Sequence, residues 1–149
     1  MKDFSHMLND ILVEVYHNIL RVEEEFLRNN SKIDLSIREM HLIECVGMNK
    51  DTGKTVSEIA DYLKIARPSV TVAVNKLKKK GYLEKQGYHS DGRIVRVTLT
   101  PKGKRVDAYH KRYHMNMVRD IENEFNENER EILLRTIDKL NNFFKESVS

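Results

Sequence analysis

The single cysteine and six histidines of this 149-residue chain are the first places to look for covalent or metal chemistry. His110 and His114 stand four residues apart, so a helix carries them on one face, the arrangement of a metal-ligating pair. The spacing alone serves equally well for two packed imidazoles. Cys45 follows His41 by one helical turn in an apolar stretch with no evident cation beside it, where a thiol is inert. One cysteine also excludes an intramolecular disulfide framework and agrees with a reducing compartment. There is no glycine-rich phosphate loop, no G-x-S-x-G elbow and no pair of carboxylates at a strand end, and scattered Ser, His and Asp do not make a triad. The chain is therefore read as a non-enzyme with no resident cofactor, and its chemistry as recognition.

The position of the charges says what is recognised. Between Lys64 and Arg105 twelve Lys and Arg face only Glu84 and Asp91, a net +10; the rest carries 14 basic against 21 acidic side chains, −7, and the total is only +3. Such a concentrated basic segment is the footprint of a surface that meets phosphates. Within it Arg67, Ser69, Thr71 and Asn75 bring donors and acceptors for base edges or phosphates, while Val70, Val74 and Leu77, at helical spacing, anchor the stretch to a core. Arg67 carries the bidentate fork that fits guanine O6 and N7, and suits a phosphate equally. Pro68 fits a first helical turn, where its missing amide costs little, and its ring suits a thymine methyl. Lys78, with Lys79 and Lys80, attracts phosphates without sequence information. Arg93, beside the turn Ser90-Asp91-Gly92, is placed to enter a minor groove, with Arg96 further along. Asp91 reads as a turn former or as a brace for an arginine, because a carboxylate near phosphates is repelled.

These side chains act only through the elements that carry them. Ser36 with Glu39, Thr55 with Glu58, and Asn126 with Glu129 are capping-box pairs, and Thr100-Pro101 marks a fourth helix start. The expected helices are about 4–29, with Leu8, Ile11, Leu12, Val15, Ile19, Val22 and Phe26 as its stripe; 37–48; a short one after Thr55; one closing at Lys80-Gly81; 101–124; and 127–145. Val95, Val97 and Leu99 alternate with Arg96 and Thr98 as a half-buried strand, and residues 82–86 supply its antiparallel partner. Hydrophobic residues make up 40% and charged residues 33%, which fits one soluble domain rather than a disordered chain. No apolar run reaches the roughly 18 residues of a membrane span, and the N-terminus lacks a signal-peptide core, so the expectation is cytoplasmic, without a membrane partner.

Helix, tight turn, basic helix and basic hairpin is the winged helix-turn-helix plan, a mainly α fold with a small β-hairpin wing (α+β). Asp91-Gly92-Arg93, then Leu99-Thr100 and Gly103, match a D-x-R-x5-L-T-x-x-G wing signature, preceded by Lys80-Gly81-Tyr82-Leu83-Glu84. On these residues the chain resembles the MarR family of transcriptional regulators. The resemblance implies one MarR-type domain over 1–149, with a DNA-binding lobe at 37–100 and helical dimerisation regions at 1–30 and 101–149. It implies a homodimer on double-stranded DNA, with a pseudo-palindromic operator and one recognition helix per half-site.

Leu35-Ser36-Ile37-Arg38-Glu39-Met40-His41, Asn18 to Glu24, and His110-Lys111-Arg112-Tyr113-His114 with Met117 are similar to the fatty-acid-synthesis repressors within that family. That subgroup implies long-chain acyl groups on acyl carrier protein as the signal. Ala66-Arg67-Pro68-Ser69 departs from the subgroup, so its operator does not transfer. Val15, Ile19, Val22, Phe26, Met40, His41, Tyr109, Tyr113 and Met117 are then the lining expected of an acyl pocket; the same residues would pack a dimer core. Zinc-sensing members combine a histidine pair such as His110 and His114 with a histidine of the second helix and a glutamate of the first. His41 and Glu23 or Glu24 stand at similar places, which makes zinc the alternative.

Overall fold

The structure is a computed structural model describing residues 1–49, 51–87 and 94–148. Six helices and one hairpin follow in the order α1 (Phe4–Asn29), α2 (Ile37–Gly47), α3 (Val56–Leu63), α4 (Arg67–Lys79), β1 (Leu83–Gly87), β2 (Val95–Leu99), α5 (Pro101–Asn123) and α6 (Glu127–Ser147). The expected boundaries hold to within two residues. Capping boxes close at Ser36/Glu39 and Asn126/Glu129. At α3 only half a box forms: the Thr55 hydroxyl oxygen accepts from the Glu58 amide, but the Glu58 carboxylate accepts from that hydroxyl rather than from the Thr55 backbone.

The chain falls into two compact units, residues 1–107 and 108–149. In the first, Leu42, Ile43 and Val46 of α2, Ile59 of α3, Val70, Val74 and Leu77 of α4, Tyr82, Leu83 and Val97 of the hairpin, and Val106 of α5 form one buried cluster. Helix α4 contributes through the i, i+4, i+7 stripe that its periodicity predicts. The hairpin is antiparallel, pairing Leu83 with Leu99 and Lys85 with Val97. Lys54 bridges to Val97 from outside it. One detail differs from strict alternation: Val95, at the start of β2, is exposed and Thr98 is buried. In α1 only Glu23 and Phe26 are buried, and Ile11, Val15 and Ile19 of the expected stripe are exposed.

Two of the glycines that geometry requires flank the hairpin. Gly81, at φ 88°, turns the chain out of α4 into the hairpin. Gly103 lies in the first turn of α5 against the hairpin, and a Cβ there would stand 2.2 Å from the Tyr82 carbonyl oxygen. That carbonyl accepts from the Thr100 amide, while Thr100 Oγ accepts from the Gly103 amide. The L-T-x-x-G motif is thus the cap and close approach that let α5 start on the wing.

In the second unit α6 buries no residue, and Ile132, Leu134, Ile137, Phe143 and Phe144 are exposed. Arg130 holds its turn by donating from Nε to the Glu122 carbonyl at 3.0 Å.

Candidate nucleic-acid interface

The α3–α4 turn orients the basic helix. Lys64 ends α3 in the left-handed conformation (φ 58°, ψ 43°), and Ala66, extended, starts α4 without a side-chain cap. Pro68 sits in that first turn, where no intrahelical amide bond is lost. With Val70, Val74 and Leu77 buried, a 100° advance per residue points Pro68, Val72, Asn75 and Lys79 most directly outward, Arg67, Thr71 and Lys78 to one flank, and Ser69 to the other. All of these are exposed. Val72 was not among the expected contacts. At 69% exposure in the centre of a polar face it is suited to a thymine methyl, and the absence of Val72 from the buried stripe is the signal that could have found it.

Side-chain bonds then decide what each group can offer. The Thr71 hydroxyl donates to the Arg67 carbonyl at 3.2 Å, so its lone pairs, not its proton, face outward. Lys85 of β1 donates to Asn75 Oδ1 at 2.6 Å. Arg96, expected at the DNA, is 3.7 Å from the Glu58 carboxylate and keeps only 29% of its side chain exposed; it joins the wing to the N-terminus of α3. Lys80 also differs from its lysine neighbours. Its Nζ donates to the Asp34 carbonyl at 2.7 Å and lies 3.4 Å from Glu39, and its own carbonyl accepts from Lys102, whose ammonium stands 4.3 Å over the Tyr82 ring. Lys80 thus ties the end of α4 to Asp34 and Glu39. The Glu39 carboxyl is held below its ordinary value: burial, which raises it, is outweighed by the Ser36 amide bond and the Lys80 charge. Asp91 and Arg93 lie outside the described residues, so their expected roles stand on sequence.

The expected effector residues differ in their exposure. Phe26 and Met40 are buried, Val22 is half-buried, and Val15 and Ile19 are exposed on α1. Tyr109 is exposed, and Tyr113 and Met117 are half-buried on α5. His41 is exposed and lines, with Arg38, Leu42, Leu63, Ile65, Ser69 and Ala73, an open groove of about 440 Å³ beside the recognition helix. On α1, Glu24 is exposed, and its neighbour Glu23 is the buried glutamate; periodicity alone did not separate them. His110 is buried and His114 half-buried, with their Nε2 atoms 3.1 Å apart. Cys45 is fully buried, and burial pushes its thiol pKa up, which agrees with an inert thiol.

Comparison with known proteins places this geometry. Residues 35–103 match the model of a winged helix DNA-binding domain. A chain of Streptococcus pneumoniae FabT, solved in complex with DNA, is 32% identical and superposes with a TM-score of 0.89 over 95% of this chain and 98% of that one. A MarR family protein from Bacillus stearothermophilus has the same fold, at 18% identity and a TM-score of 0.77 over 95% of each chain. The uncharacterized HTH-type transcriptional regulator YhjH of Bacillus subtilis is 31% identical over 88 residues, 59% of this chain, and the match spans about half (49%) of that relative. No described helix is long and apolar enough to cross a membrane. The chain belongs to the MarR family of winged helix-turn-helix DNA-binding transcriptional regulators, in which it is similar to FabT, and it is not an enzyme.

Proposed function

We propose that this regulator is a homodimeric repressor of fatty-acid biosynthesis genes, whose hold on a pseudo-palindromic operator is set by long-chain acyl groups on acyl carrier protein. The observation that carries this reading is the likeness to FabT over nearly the full length of both chains, together with the Leu35 to His41 segment of the fatty-acid-repressor subgroup. The exposed apolar residues of α1 and α6 supply the surface for a second copy. Two copies then present two α4 helices, one per half-site.

Gel-shift titration tests it directly. Duplexes from upstream of fatty-acid genes are titrated with the protein, with and without long-chain acyl carrier protein and with the unacylated carrier as control. A shift in affinity that depends on the acyl group is expected; identical curves sink the acyl claim.

The paired imidazoles favour a second reading, zinc sensing. Two nitrogens on a tetrahedral zinc at about 2.0–2.1 Å stand roughly 3.3 Å apart, close to the 3.1 Å between His110 and His114. A hydrogen bond between two neutral tautomers has the same length. Glu24 and His41, both exposed, are the remaining residues of that expected set. Stoichiometric zinc binding by dialysed protein, lost together with regulation in His110→Ala and in His41→Ala, establishes this reading over the first.

A further inference from the structure

A side-chain hydrogen bond joins strand β1 to the recognition helix. In β1 Leu83 points into the core, so Lys85, two residues on, shares its face and extends over α4 beyond the core edge. There its Nζ meets Asn75 Oδ1 at 2.6 Å. Chemistry settles the direction of this contact. An ammonium has three donors and no acceptor, so the amide atom facing it must be the carbonyl oxygen, and Nδ2 is turned away from the lysine.

That orientation changes what Asn75 can read. Asparagine reads adenine with both ends of its amide, accepting from N6 and donating to N7. A cation seated on Oδ1 repels a second donor such as the adenine N6 amine from the same oxygen. The two Nδ2 protons are left for an edge that only accepts, and in the major groove guanine presents such an edge with N7 and O6. The Lys85 contact is exposed and weak in open water, but it strengthens when DNA displaces that water.

We propose that Lys85 is a specificity-positioning residue, which by holding Asn75 Oδ1 makes Asn75 select guanine over adenine in the operator. The proposal rests on α4 entering the major groove, as the family assignment implies. It also gives the wing a part in base selection that is separate from any groove contact of its own.

Binding-site selection from a random duplex library, followed by affinities for every single-base variant of the selected site, tests it on the full-length protein. The wild type should show one position per half-site at which guanine is preferred to adenine by at least about tenfold. Lys85→Met should abolish that preference or tip it to adenine while leaving other positions unchanged, and Lys85→Arg, also a pure donor, should retain it. Asn75→Ala should abolish it as well, and Lys85→Met should add nothing in that background. Both side chains are exposed, so the melting temperature should not move.

The proposal is overturned if Lys85→Met weakens all sequences alike and lowers the salt slope by about one, the signature of a phosphate contact. It is also overturned if Asn75→Ala leaves the base preferences intact. A wild type that selects no sequence overturns the DNA reading itself; one that selects a site whose preferences ignore Lys85 overturns this inference alone.

Discussion

Val70, Val74 and Leu77 of α4 are fully buried, whereas Ile132, Leu134, Ile137, Phe143 and Phe144 of α6 have a comparable helical periodicity and stay exposed. Both helices are amphipathic. The DNA-binding lobe closes a core within one chain, and α4 turns its polar face outward to read a polyanion. Helix α6 presents its apolar face to the surroundings, so its sequence pattern is satisfied only by another surface. The same 3.6-residue periodicity therefore means a finished core in one region and an association face in the other.

The sharpest way to break this comparison is to disturb each region in turn. Gly103→Ala forces a Cβ to 2.2 Å from the Tyr82 carbonyl and should cost about 3 kcal/mol, read as a large drop in melting temperature at any protein concentration. Leu134→Ala on α6, at 73% exposure in the single chain, should cost under about 0.5 kcal/mol in protein diluted until it is monomeric. Equal losses would show that α6 already has a core of its own.

Next in size is association. Ile137→Asp combined with Phe144→Asp should leave the lobe folded by circular dichroism and shift sedimentation from dimer to monomer. Operator affinity should fall about 100-fold, because the second half-site is no longer held at high effective concentration.

Within the lobe the recognition face divides again. Arg67→Ala should lose about tenfold on the best site and relax one base position if it reads guanine, whereas Lys78→Ala should weaken all sequences alike and lower the salt slope by about one. Fluorescence anisotropy at several salt concentrations separates the two. Matching results for both would reduce the face to phosphate attraction.

The smallest effect concerns pH. The folded Glu39 carboxyl titrates below its ordinary value of 4.5, so its contribution is fully present above that value and is lost as pH falls through the folded one. Glu39→Gln should therefore lower the melting temperature slightly at neutral pH and flatten the acid limb of stability below about pH 5.

Much of this was legible in the chain. Capping pairs placed the starts of α2, α3 and α6, Thr100-Pro101 that of α5, and the Val70, Val74, Leu77 stripe the buried side of the basic helix. These features are local: a cap involves residues three apart, and a stripe is defined about the helix's own axis. The wing signature carried the resemblance to the family, and the charge division pointed to a surface that meets phosphates.

Tertiary placement decided the rest. That Arg96 meets Glu58, that Lys80 ties α4 to Glu39, and which end of the Asn75 amide faces Lys85 all depend on side chains from other elements. The burial of Glu23 rather than Glu24, and the exposure of Val95, depend on where the neighbouring layer ends. Periodicity tells a residue which way it points from its own backbone. Only the packed chain tells it what it meets there, because a hydrogen bond exists or fails within a few tenths of an ångström, a precision that no pattern of residue types carries.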